Sequence, residues 1–140
     1  MDIEVRLAGD NDLKIIHEIL EEIQECKIEK RVQRFKEALA SNLSTFLVAV
    51  ANGKVIGYLN IWHLPDLVDG GVLCILLDCY VSGEFRHRGV GKMLLEGAME
   101  EGEKHNVNKY YGWMDFENKP AISLLKKHGF STESLMLEKR

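Results

Sequence analysis

Arg86-His87-Arg88-Gly89-Val90-Gly91 is the stretch that decides how this chain is built and what it can hold. It follows an apolar, strand-like run from Val72 to Val81 and opens a segment in which Val90, Leu94 and Ala98 recur at every fourth position, the spacing of one helix face. Strand, glycine turn and helix in that order make an anion site. Gly89 and Gly91 carry no Cβ to hold a ligand off the main chain, so several N–H groups can converge on one phosphate at the helix N-terminus, where the dipole adds partial positive charge. Arg86, Arg88 and Lys92 add full charges around it. Glycine turns ahead of helices also serve close packing alone, so the pattern gains meaning from what accompanies it.

Spacing excludes two common phosphate loops. A Walker loop needs a glycine where Arg86 stands and a hydroxyl residue where Met93 stands, and a dinucleotide loop needs a third glycine at Leu94. Neither ATP nor NAD is expected.

Downstream lies a second pattern, Asn118-Lys119-Pro120-Ala121-Ile122-Ser123-Leu124-Leu125-Lys126-Lys127-His128-Gly129-Phe130. Asn118 is placed as an N-cap, Pro120 falls in the first turn and Gly129 suits a left-handed C′ position, so both ends of a short helix are specified. A well-capped core helix would look the same. Taken with the glycine loop, in this order and at this separation, the pattern resembles the GNAT superfamily of N-acetyltransferases. That family's acetyl-CoA loop reads Arg/Gln-x-x-Gly-x-Gly/Ala, and its later helix reads Asn-x-x-Ala-Ile-x-x-Tyr-x-x-x-Gly-Phe.

A chain of 140 residues, 46% hydrophobic and 29% charged, predicts one globular α/β domain over residues 1–140. Its net charge of −4 disfavours a nucleic-acid backbone as partner and leaves room for a cationic acceptor such as an amine. Cys26, Cys74 and Cys79 are odd in number and two lie in an apparent core strand, so they read as buried thiols in a reducing, cytoplasmic setting. No His/Cys spacing suggests a metal. No apolar run approaches the roughly 18 residues of a membrane span, and no signal peptide is expected.

Ile3-Val5-Leu7 alternates as a strand, with Asp10, Asn11 or Asp12 able to cap the helix that Ile15, Ile16, Ile19, Leu20 and Ile23 mark. A second helix runs through Val32, Phe35 and Leu39 to about Ser41-Asn42, and the charge runs Glu21-Glu22 and Lys30-Arg31 read as solvated faces. Thr45 to Ala51 and Lys54 to Leu64 are strands joined by an Asn52-Gly53 hairpin turn, and Pro65 to Gly71 is a loop. After the glycine loop a helix extends to about His105, Lys109 to Asp115 forms a strand, and Ser134 to Glu138 forms a last short strand. The resemblance implies a mixed central sheet of six to seven strands flanked by about four helices. Only ten residues follow Phe130, so one of the family's final strands is abbreviated or absent.

What the resemblance implies for function follows position by position. Main-chain groups of Cys79, Tyr80 and Val81 would pair with the pantetheine arm and hold the thioester carbonyl, and the pyrophosphate would lie on the N–H groups of His87, Arg88, Gly89, Val90, Gly91 and Lys92, with Arg86 beside them. Asn118 would contact the cofactor near its thiol end. The family's usual acid, a tyrosine, falls at Leu125, and its usual base positions fall at Leu77 and Ile75, so both roles are vacant. From the residues themselves, Asp78 is the only carboxylate of its strand, and alternation turns it away from Leu77, Cys79 and Val81. Asp78, Tyr80 and Asp115 are the catalytic candidates, although a structural carboxylate bonded to nearby backbone fits Asp78 equally well; Glu117 is a further base candidate.

The expected activity is acetyl-CoA-dependent transfer of an acetyl group to a primary amine by direct attack on the thioester. The alternative is a non-catalytic CoA-binding sensor. The acceptor stays open among polyamine, amino acid, aminoglycoside, and protein N-terminus or lysine. Self-association as a homodimer is expected through the apolar strand Leu135-Met136-Leu137, whose backbone would otherwise lie unpaired at a sheet edge.

Overall fold

In the computed structural model, which describes residues 2–140, five strands form one mixed sheet in the order β1-β2-β3-β4-β5. The strands are β1 (Ile3–Leu7), β2 (Ser44–Ala51), β3 (Lys54–Asp66), β4 (Gly71–Val81) and β5 (Val107–Gly112). The helices are α1 (Leu13–Glu21), α2 (Ile28–Ala40), α3 (Val90–Lys104) and α4 (Lys119–Lys127). Asn52 and Gly53 both take positive φ, 52° and 76°, which is the twist a tight β2–β3 hairpin needs. β1 to β4 pair antiparallel, and β5, reached through α3, pairs parallel to β4. No helix among the described residues is long and apolar enough to cross a membrane.

Each face of the sheet carries its own core. Leu59, Ile61, Cys74 and Leu76 pack against Val90, Leu94, Leu95 and Ala98 of α3 and Leu125 of α4. On the other face Phe46, Val48 and Tyr58 pack against Ile16 and Ile19 of α1 and Phe35 and Ala38 of α2.

Several expectations are corrected. The segment from Pro65 to Gly71 is not all loop: β3 runs on to Asp66 and β4 begins at Gly71, because Asp66 accepts the Val68 and Asp69 N–H groups at 3.1 and 3.3 Å and closes a tight turn. Lys109 of β5 ties this turn down by an ion pair to Asp66 at 2.9 Å. The next strand occupies Val107–Gly112 rather than Lys109 to Asp115. Ser134 to Glu138 forms no strand, so the sheet has five strands instead of six or seven. Leu135 and Leu137 are 78% and 85% exposed. Three consecutive apolar residues give no period-two face to lay on a core, so burial fixes neither pairing nor register. Nor are the three thiols alike: Cys74 is buried, Cys26 is half-buried, and Cys79 is exposed because β5 has left its side.

One buried polar group stands out. His63, 4% exposed, meets no hydrogen-bond partner at either ring nitrogen and stacks on His105 with centroids 4.0 Å apart. Burial, then the His105 charge, hold its pKa below the ordinary value, with Glu101 opposing. Above pH about 6.5 His63 is neutral in folded and unfolded chains alike; below it the unfolded chain takes up a proton that the folded one refuses, so stability falls. Lowering the pH from about 7.5 to about 5 should therefore reduce the urea midpoint more in the wild type than in His63→Leu.

Candidate functional site: a forked strand pair ending in a glycine loop

β4 and β5 keep company only from Val72↔Val107 to Leu76↔Gly112. Beyond Leu76, β4 continues to Val81 on β3 alone, so its β5-facing peptide groups have no strand partner. Gly112 lets α4 close in beneath the fork, since a Cβ there would meet Leu125 Cδ1 at 3.1 Å.

The run Leu73-Cys74-Ile75-Leu76-Leu77 is apolar throughout, so alternation cannot be read from it. In the structure Asn60 pairs with Asp78 and Ile61 with Leu76, which leaves Leu77 as the extra residue of a β-bulge. The bulge resets the faces. Cys74 and Leu76, then Cys79 and Val81, look toward α3, whereas Ile75, then Asp78 and Tyr80, look toward the α1–α2 side, as their partners Trp62, Asn60 and Tyr58 require.

Asp78 is half-buried, and burial alone raises its pKa, with no donor or cation among the described residues to offset the rise. It is therefore not the backbone-bonded structural carboxylate that remained an alternative. Tyr80 packs its ring 5.9 Å from Tyr58, and burial with the neighbouring Asp78 charge pushes both hydroxyls above their ordinary value, so both keep their protons at neutral pH. Asp115 stands apart, beyond the end of β5, where its carboxylate accepts the Glu117 N–H at 3.4 Å and its carbonyl the Asn118 N–H at 3.0 Å. These bonds shape the turn into α4.

At the end of β4, Arg86 Nε donates to Val81 O at 3.0 Å and folds the loop back on the strand. His87 and Gly89 take positive φ, 62° and 83°. Such alternation of handedness turns successive N–H groups into one concavity, a ready anion nest. Within α3 the first N–H to find a backbone acceptor is that of Met93, 3.1 Å from Gly89 O, leaving those of Val90, Gly91 and Lys92 uncommitted. Arg88 lies over the Phe85 ring at 5.7 Å, and Lys92 sits 3.9 Å from Glu96. Asn118 Oδ1 accepts the Ala121 N–H at 3.3 Å as the expected N-cap, on the helix whose Leu124 borders Gly91.

Two neighbours of the site escaped the sequence reading. Arg31 is no solvated charge: it donates to Glu21 Oε1 at 2.6 Å, His17 Nδ1 at 2.9 Å and Gln24 O at 2.6 Å. With the Cys26 N–H it holds Glu21 below its ordinary pKa and clamps the α1–α2 turn. Asn60 accepts from Trp62 Nε1 at 2.7 Å and donates to Ser44 Oγ at 2.8 Å, fixing the indole on the Asp78 face. An interior asparagine in an otherwise apolar strand was the available signal. Among the described residues, no group of three or more His, Cys, Asp or Glu could hold a metal ion.

A model of the acetyltransferase (GNAT) family matches residues 13–130. The chain is 33% identical over 106 residues to an N-alpha-acetyltransferase of Sulfurisphaera tokodaii, covering 69% of this chain and 62% of the relative. It is 32% identical over 112 residues to an N-alpha-acetyltransferase of Sulfolobus acidocaldarius, covering 73% and 65%. The chain thus spans less than two thirds of the length of these relatives. Among solved structures, a transcriptional regulator of Bacillus halodurans superposes with a TM-score of 0.88 over 99% of each chain at 19% identity, a likeness of fold.

Packing does not explain Gly91. A Cβ there would meet only Leu124 Cδ2, at an ordinary 3.7 Å, in a helical turn where alanine is the better residue. Gly91→Ala should stabilise the fold by about 0.5 kcal/mol in urea titration; a loss of stability would return Gly91 to a packing role.

Proposed function

The chain belongs to the GNAT family of acetyltransferases, and on that premise we propose that it transfers an acetyl group from acetyl-CoA to the α-amine of a peptide by direct attack of the amine nitrogen on the thioester. The observation that carries this reading is the fork: open β4 peptide groups, an uncommitted carboxylate on one face, and a nest of N–H groups where the strand ends. The residues suit the cosubstrate. The N–H groups from His87 to Lys92 would take the pyrophosphate with Arg86, Arg88 and Lys92 nearby, and main-chain groups of Cys79, Tyr80 and Val81 would take the pantetheine arm. Asn118, committed to its helix by one oxygen, keeps its amide N–H groups for the cosubstrate. When bound, acetyl-CoA supplies an activated acyl group on a leaving thiol with a pKa of roughly 8.5.

Asp78 takes a proton from the bound ammonium and so frees the amine that attacks, and its raised pKa improves it as a base. Tyr80 keeps its proton and is the donor that can stand in for the absent tyrosine at Leu125, which is buried at 9% exposure among Leu76 and α3 residues. General-acid help is typically worth about 10²–10⁴-fold, so a vacant position slows the reaction without forbidding it. The modest base also favours the acceptor. A lysine amine near pKa 10.4 is free in only about one molecule in 2,500 at pH 7, whereas an α-amine near 7.8 is free in roughly one in ten. The similarity to the N-alpha-acetyltransferases points the same way. Asp115, occupied in its turn, has the weaker claim to a catalytic role. A reducing, cytoplasmic setting suits the unpaired thiols, and the free outer edge of β5 offers a surface for a homodimer.

Incubation with acetyl-CoA and short peptides should add one acetyl group at the α-amine, read by mass spectrometry, and Gly91→Ala should weaken CoA binding in calorimetry although the fold is intact. CoA binding without transfer to any amine would select the sensor reading instead. Because Asp78 must be deprotonated to act, kcat/KM should fall as the pH drops through its raised pKa, and Asp78→Asn should lower the rate and remove that limb. In sedimentation, a mass near the 16.0 kDa monomer at all micromolar concentrations would rule out the dimer.

A further inference from the structure

We infer that the acceptor's first side chain is large and apolar, because the Asp78 face continues into a sheet surface, Trp62–Ile75–Tyr111, of which the α1–α2 core reaches only Trp62. This inference rests on the acceptor being an α-amine. Trp62 pairs with Ile75, and Ile75 with Tyr111, so one side-chain row crosses three strands; Leu64 and Leu73, paired likewise, extend it. Partners in register share a face, and the bulge at Leu77 is what brings Ile75 onto the same face as Asp78. Helices α1 and α2 cover β2 and β3, and α1 reaches β4, but Ile75, Leu73 and Tyr111 belong to neither core. Tyr111 is 37% exposed. Trp62 is held in place by its bond to Asn60, the ladder partner of Asp78.

The charges decide which occupant fits. The row has a single uncommitted charge at one end, the Asp78 carboxylate, and at the other Lys109, paired with Leu73 in the ladder and already bound to Asp66 and Asp69. A polyamine or aminoglycoside would lay further cations over apolar side chains and toward Lys109, whose neighbouring carboxylates, Asp66 and Asp69, are already committed to it. An α-ammonium joined through one carbon to a leucine- or phenylalanine-like side chain matches both: charge at Asp78, apolar body on Trp62, Ile75 and Tyr111. Burying a side chain of that size distinguishes substrates by about ten-fold or more.

The test uses peptide pairs identical except for a first residue of Leu or Ser. The wild type should acetylate the Leu-first peptide with kcat/KM about ten-fold higher or more, and Tyr111→Thr, a conservative change in an exposed strand position, should bring the ratio near unity, as should Trp62→Thr if it folds. Leu67→Thr, at the exposed tip of the β3–β4 turn, should keep the wild-type ratio. Equal rates for both peptides in the wild type, a ratio that survives Tyr111→Thr, or one that Leu67→Thr also abolishes would each overturn the inference while leaving the transferase reading intact. Should no peptide be acetylated, that reading fails, and equilibrium dialysis of the same labelled peptides with CoA-loaded protein decides this one: tighter Leu-first binding that Tyr111→Thr removes supports it, and equal or absent binding overturns it.

Discussion

The parting of β4 from β5 beyond Leu76 and Gly112 is the constraint on which everything else in this molecule depends. A sheet interior normally closes every peptide hydrogen bond, and an unmade buried one costs on the order of 1–3 kcal/mol. Here an inner strand is left without a partner on one side where its chain turns into the glycine loop. Two contacts keep it so: Leu125 of α4 lies against Gly112 and Leu76, and Arg86 binds back to the Val81 carbonyl. The first relies on a glycine in β5, since any Cβ there would crowd Leu125.

The bulge at Leu77 divides labour between the faces of the opened strand. Toward α3 it sends Val81, which packs on the apolar core, and the exposed Cys79; toward α1 and α2 it sends Asp78 and Tyr80, set among buried aromatic rings. Low polarity there raises the pKa of the carboxyl and both phenols together. Identical physics gives opposite usefulness: the carboxylate becomes a better base, and the phenols become reliable proton carriers.

Leu125 illustrates how packing and chemistry compete for one position. As leucine it contributes to the core that anchors α4 under the fork; a tyrosine there would bring a hydroxyl and extra volume to the same place. The chain has settled for packing, and the nearest protonated hydroxyl it keeps on the strand is Tyr80, on the opposite face. Acid and base candidates are thus neighbours on one strand instead of being delivered from two helices.

Local pattern was enough for much of this. The glycine loop, both ends of α4, the Asn52-Gly53 turn and the strand–loop–helix order are short-range features, set by backbone freedom, capping and periodicity within a few residues, and they could be read directly. So could the vacancy at Leu125, which is a matter of spacing within one helix. Tertiary structure decided the rest. Whether Leu135-Met136-Leu137 pairs with anything depends on a partner strand, and the segment's own pattern names none. Where β4 bulges could not be told from five successive apolar residues, because the bulge is fixed by the register that Asn60 and Ile61 impose from the neighbouring strand. From that one offset follow the side on which Asp78 lies and the row it shares with Trp62, Ile75 and Tyr111. Sequence carries the propensity of each residue, but the face on which it lies is set by hydrogen bonds with residues far away in the chain.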